Sequence, residues 1–101
     1  MKKKFNLSLD PRAHQDIQDG IDYYDGKRDG LGEQFFDAVD NTMKTIKMNP
    51  LSFQVRYDQV RCIMVKGFPY MVHYSVDETN ASVYAHAIIN TSKDPKTSWV
   101  K

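Results

Sequence analysis

Tyr70-Met71-Val72-His73-Tyr74-Ser75-Val76, then Asp77-Glu78-Thr79-Asn80, then Ser82-Val83-Tyr84-Ala85-His86-Ala87-Ile88-Ile89 is the stretch that decides the fold. Each outer segment alternates with period 2 and is rich in β-branched and aromatic residues, and the four-residue polar segment between them reads as a turn. The pair is therefore a β-hairpin. Immediately upstream, Val60–Lys66 is another apolar, β-branched run, and Gly67-Phe68-Pro69 turns it into Tyr70. Residues 60–89 thus predict a three-stranded antiparallel meander.

Before Pro50 the period changes to that of a helix. Leu31, Phe35, Val39 and Met43 form one stripe, widened by Ala38, Thr42 and Ile46, and Asn49-Pro50 ends it. Ala13, Ile17, Ile21 and Tyr24 form an earlier stripe, opened by Asp10-Pro11 as N-cap and first helical residue. Gly26, Gly30 and Gly32 are read as the break between the two helices. At the front, Phe5, Leu7 and Leu9 alternate with Lys4, Asn6 and Ser8 as in a half-buried strand. The order is β-α-α-β-β-β. That predicts an α+β fold, an antiparallel sheet packed on one face by a helical hairpin, with the first strand at an edge.

This architecture assigns faces. Tyr70, Val72, Tyr74 and Val76, with Val83, Ala85, Ala87 and Ile89, are expected against the helices. The opposite face then carries His73, Ser75, Tyr84 and His86, with no further element to cover it. The run 60–66 leaves two options: if Cys62 and Met64 turn to the helices, Arg61 joins the open face together with Ile63 and Val65. An open face with an arginine, two histidines and a tyrosine suits a phosphate-bearing ligand.

Composition bounds the rest. A chain of 101 residues is expected to form one domain, residues 1–101, with a core of its own. The single cysteine, Cys62, makes no internal bridge, which points to a reducing cytoplasm. No apolar run approaches the ~20 residues of a membrane span, and the Lys2–Lys4 opening lacks the apolar stretch of a secretion signal. The net charge of +1 hides an asymmetry: residues 1–9 carry +3, residues 10–40 carry −6 and residues 41–101 carry +4. Glycine-rich phosphate loops, His-Glu-x-x-His, Cys-x-x-Cys and Gly-x-Ser-x-Gly are all missing. His14, His73 and His86 lack partners at ligand spacing, so neither a metal nor another cofactor is expected.

Taken in order, Arg56-Tyr57, Val60-Arg61, Lys66-Gly67-Phe68-Pro69-Tyr70-Met71-Val72-His73-Tyr74, Ser92-Lys93-Asp94-Pro95 and Trp99 resemble the toxins of the RelE/ParE superfamily. Asp22-Tyr23-Tyr24 and Leu31-Gly32-Glu33-Gln34-Phe35 fit the helical hairpin of those proteins, so the resemblance spans nearly the whole chain. It implies the toxin of a bacterial type II toxin–antitoxin system of the plasmid-stabilisation type, a cytoplasmic growth inhibitor neutralised by a cognate antitoxin. Superfamily members follow two routes: RelE-like toxins cut messenger RNA on the ribosome without metal, and ParE-like toxins inhibit DNA gyrase. A degenerate toxin that only binds its partner is a third reading.

Metal-free RNA cleavage needs proton transfer at the 2′-hydroxyl and the leaving oxygen, and a cation on the scissile phosphate. Arg61 matches the arginine that precedes the central strand in RelE-like toxins, while His73, Tyr84 and His86 are proton-transfer candidates by face. Arg56 and Lys93 are candidates for contacting the target. The end of the chain, Lys96-Thr97-Ser98-Trp99-Val100-Lys101, lacks the tyrosine or His-Tyr pair of many RelE-like toxins. Ser92-Lys93-Asp94-Pro95 followed by Trp99 leans toward ParE, as does the near-neutral charge. The gyrase-directed reading is therefore favoured over the ribonuclease.

Overall fold

The computed structural model describes residues 4–91. Strand β1 (Asn6–Leu9) leads into α1 (Pro11–Lys27) and α2 (Leu31–Met48), followed by β2 (Val55–Tyr57), β3 (Val60–Met64), β4 (Tyr70–Asp77) and β5 (Ser82–Asn90). The strands form one sheet in the order β1-β5-β4-β3-β2. The meander from β2 to β5 is antiparallel, as expected for its last three strands, but β1 lies parallel to β5, so the sheet is mixed. The expected first strand is thus an edge strand, and the two helices carry the chain back so that β1 and β5 run the same way.

Asp10 caps α1 through its Oδ1, which accepts the Arg12 N–H at 2.8 Å, and Pro11 opens the helix. The link between the helices is shorter than the glycines suggest. Gly26 lies inside α1 and Gly32 inside α2, leaving Gly30, at φ 86°, to make the turn. The hairpin closes tightly because Gly20 and Gly32 lack side chains. A Cβ on Gly20 would overlap the Phe35 ring, and one on Gly32 would meet the Ile21 carbonyl oxygen at 2.6 Å. The Gly32 N–H also donates to Asp25 Oδ1 at 2.8 Å, a second tie between the helices.

The core lies between the hairpin and one sheet face. Phe35, Val39 and Ile46 of α2 meet Val72 and Tyr74 of β4 and Val83 and Ala85 of β5. Tyr24, Phe35, Phe68 and Tyr70 pack as an aromatic group at one end, with ring centroids 4.9 to 6.1 Å apart. Burial of this set supplies most of the stabilisation.

Two sequence expectations fail, each for a local reason. Strand β2 is absent from the expected order: it has three residues, and it joins β3 through Asp58 and Gln59, both at positive φ. The second is the face of Ala87 and Ile89. His73 pairs with Ala87 but Tyr74 pairs with Ala85, so His86 is an extra residue in β5. This bulge breaks the alternation. Ile88, not Ala87 or Ile89, joins the core opposite Val72, while Ala87 and Ile89 lie with His73 and Met71 on the other face. Beyond the end of β1, the Ile88 N–H is satisfied by Asp16 Oδ2 of α1 at 3.0 Å.

Candidate functional site: the outer face of the sheet

Strands β4 and β5 set His73, Ser75, Tyr84 and His86 on the face away from the helices, as the alternation predicts. They form two separate groups. His86 Nε2 and Ser75 Oγ share a hydrogen bond of 2.8 Å, and the Tyr84 and His86 rings meet edge-to-face at 5.0 Å. Tyr84 donates its hydroxyl to Asp10 Oδ2 at 2.9 Å, joining β5 to the cap of α1 across 74 residues. The hydrogen bonds from the Arg12 N–H and the Tyr84 hydroxyl lower the pKa of the Asp10 carboxyl. Burial lowers the pKa of His86, against the field of Asp10.

His73 belongs to the second group and is fully buried. Its Nδ1 lies 2.9 Å from the Tyr57 hydroxyl and 3.4 Å from Cys62 Sγ. Burial, then the positive fields of Arg12, Arg56 and His86, push its pKa down to about 4. Neutral His73 therefore accepts from Tyr57, whose own pKa burial raises. Burial also raises the pKa of the Cys62 thiol, which keeps it protonated and unreactive. Tyr57 packs with Val60, Cys62 and Met71, so the centre of this face is covered rather than bare.

Arg61 is not on this face. The register pairs it with Tyr74, which points to the helices, so Val60 and Cys62 turn outward while Arg61 and Ile63 turn inward. Arg61 Nη1 donates to the Phe53 carbonyl at 2.6 Å and more weakly to Leu51 at 3.4 Å. Tyr74 donates to the Pro50 carbonyl at 2.8 Å. The two side chains clamp the loop between α2 and β2. The expected grouping of Arg61 with His73, Tyr84 and His86 is therefore corrected: the guanidinium is engaged by main-chain carbonyls of the opposite layer.

Arg56 is exposed on the edge strand β2, within electrostatic reach of His73. Lys93, with Ser92, Asp94, Pro95 and Trp99, lies outside the described residues. From sequence, Tyr57 figures only in the family resemblance, and neither Tyr57 nor Arg12 has an assigned place at the site. Tyr57 ends a segment of only three residues, Val55-Arg56-Tyr57, separated from Val60 by Asp58 and Gln59, which is too short to give a periodic signal. Among the described residues no group of three His, Cys, Asp or Glu stands close enough to hold a metal, and no helix is long and apolar enough to cross a membrane.

The family model described as the ParE toxin of the type II toxin–antitoxin system parDE matches residues 7–95. The chain belongs to the ParE toxin family. The same fold occurs in the chromosomal ParDE toxin–antitoxin system of P. aeruginosa, at 15% identity and a TM-score of 0.63, covering 84% of this chain and 94% of that one. It also occurs in the intact E. coli RelBE toxin–antitoxin complex, at 15% identity and a TM-score of 0.64, covering 83% and 93%. The isolated E. coli RelE toxin aligns at 15% identity and a TM-score of 0.61, covering 83% and 81%. No curated protein sequence matches this member of the ParE family. At these identities the solved structures establish the shared scaffold alone.

Proposed function

We propose that this ParE-family toxin arrests growth by binding DNA gyrase, without RNA cleavage, and that a cognate antitoxin holds it inactive in the cytoplasm. The observation that carries the choice of mechanism is Arg61. A metal-free ribonuclease needs a cation at the phosphate next to its proton-transfer groups, and here that arginine holds the Phe53 and Leu51 carbonyls on the other side of the sheet. His73 is neutral, buried and hydrogen-bonded, and His86 is tied to Ser75. The outer face is therefore read as a recognition surface. Tyr84 and His86 supply its aromatic contacts, and Arg56 supplies a charge at its edge. Lys93 is proposed as a further target contact, and His73 as a support for the surface rather than a catalyst.

An antitoxin partner follows from family membership and from the company in which related toxins are found, the ParDE and RelBE systems. The test is a pair of reactions with the purified chain. One measures gyrase supercoiling and the accumulation of cleaved DNA. The other maps mRNA ends by primer extension in a purified translation system. Inhibited supercoiling with intact mRNA is the expected result. Cuts at ribosomal A-site codons that vanish in Arg61→Ala would replace it with the RelE-like ribonuclease, and inactivity in both would indicate a degenerate, partner-binding toxin.

A further inference from the structure

Strand β1 has one partner among the described residues, β5, and forms the end of the sheet. The Asn6 N–H donates to the Ala81 carbonyl at 2.9 Å, and the Asp10 N–H to the Ala85 carbonyl at 2.8 Å. In a parallel ladder alternate residues turn both main-chain groups to the same neighbour, so those of Phe5, Leu7 and Leu9 face outward. Edge strands are commonly protected by a proline, a bulge or an inward-pointing charge. The stretch 5–9, Phe-Asn-Leu-Ser-Leu, carries none of these, and its pairing with β5 is free of register shifts. Beside it, Leu7, Leu9, Phe36, Val39 and Met43 line a groove of about 370 Å³ whose lip is the exposed ring of Phe36.

The residues around Leu7 are self-complementary. In Lys4-Phe5-Asn6-Leu7-Ser8-Leu9-Asp10, reading outward from Leu7 pairs Asn6 with Ser8, Phe5 with Leu9 and Lys4 with Asp10. Each pair matches polar with polar, apolar with apolar or cation with anion. We propose that β1 is a self-pairing edge: two copies of this chain join antiparallel through β1, with Leu7 on the two-fold axis. The outward-facing Phe5, Leu7 and Leu9 form the hydrogen-bonded pairs, and Asn6 faces Ser8 of the second copy in a non-hydrogen-bonded pair. Lys4 and Asp10 share the outer face with Asn6 and Ser8, so two Lys4–Asp10 ion pairs flank the axis. On the helix side, the half-buried Leu7 and Leu9 of the second copy meet the rim of the groove, while Phe5 of each copy stays in its own core. Sliding one copy by two residues, to put Ser8 on the axis, sets Asp10 against Asn6 and loses both ion pairs. The self-complementarity thus selects one register, and the interface is isologous, as a two-fold dimer requires.

A contact made by one short strand and one groove rim falls below the ~1,200 Å² of stable complexes, so the dimer is weak and concentration-dependent. The test is sedimentation equilibrium of the isolated full chain, an 11.7 kDa protomer. A reversible dimer is expected. Lys4→Glu, which sets a carboxylate against Asp10 at both ends of the interface, should raise the dissociation constant at least tenfold with an unchanged far-ultraviolet circular dichroism spectrum. Asn6 and Ser8 are both on the outer face, and non-hydrogen-bonded pairs lie within disulfide reach. Oxidising an equimolar mixture of Asn6→Cys and Ser8→Cys chains should therefore give a cross-linked dimer that neither chain forms alone. A chain that stays monomeric at several hundred micromolar overturns the proposal. So does a dimer that ignores Lys4→Glu and yields no mixed cross-link, or one in which only a different polypeptide occupies the edge.

Discussion

Arg61 and Tyr74 stand opposite each other on β3 and β4, and both reach past the sheet to main-chain carbonyls of one loop, Arg61 to Phe53 and Tyr74 to Pro50. The loop has little regular structure between Asn49 and Val55, so these bonds fix its path over the sheet. Removing either donor leaves a carbonyl without its partner. Arg61→Ala is expected to lower stability by about 1–3 kcal/mol and Tyr74→Phe by about 1–2 kcal/mol, read from urea midpoints at constant slope. Arg61→Lys should recover part of the loss. If Arg61→Ala left stability untouched while abolishing activity, the arginine would be acting on a ligand and not on the loop.

The helical hairpin offers a contrast between two glycines. Gly32 sits where a Cβ would press on the Ile21 carbonyl and the Asp25 carboxylate, whereas a Cβ on Gly26 would meet nothing within 4 Å. Gly32→Ala must push the helices apart and should cost about 1–3 kcal/mol. Gly26→Ala, in the helical interior and unobstructed, should gain about 0.5–1 kcal/mol from the entropy it removes from the unfolded chain. Thermal melts of the two variants should therefore move in opposite directions.

What the sequence makes legible follows from how strongly each segment is patterned. The two helical stripes and the 70–89 hairpin place the helices, β4, β5 and the outward position of His73, Ser75, Tyr84 and His86 from periodicity alone. The bulge at His86 is hidden because Ala87, Ile88 and Ile89 are all apolar, so either face is acceptable to the pattern. The same ambiguity conceals Arg61: Cys62 and Met64 are as apolar as Ile63 and Val65, and only the pairing with Tyr74 decides between them. Strand β2 escapes notice because its three residues are too few for a periodic signal, and with it go Tyr57 and the buried group around His73.

The turn that joins β2 to β3 stores strain that one substitution should release. Asp58 and Gln59 have φ values of 42° and 66°, the geometry of a two-residue hairpin turn that favours Asn-Gly or Asp-Gly. Asp58 tolerates this region well, but Gln59 does not. Gln59→Gly is expected to raise stability by about 0.5–1 kcal/mol, since relief of the left-handed strain outweighs the added freedom of the unfolded chain. A lower urea midpoint for Gln59→Gly would show that its side chain makes a compensating contact.

His73 makes folding sensitive to acid. Its pKa is about 4 in the folded protein against an ordinary 6.5, because burial and the fields of Arg12 and Arg56 oppose its charge. The unfolded chain therefore binds the proton first. The contribution of neutral His73 is complete above pH 6.5, declines as pH falls toward 4, and is gone once the folded protein is protonated as well. Integrated over that window, it amounts to about 3 kcal/mol. Asp10 and Asp77, whose pKa values are lowered by hydrogen bonds, add their own losses at lower pH, so the wild type alone does not isolate the histidine. Comparing urea midpoints of the wild type and His73→Phe between pH 7.5 and 4.5 does. The variant should be the less stable of the two at pH 7.5, having lost the Tyr57 bond, but its stability should fall much less as the pH drops. Parallel curves would mean that His73 binds its proton as readily in the folded protein as in the unfolded chain, so that burial does not oppose its charge.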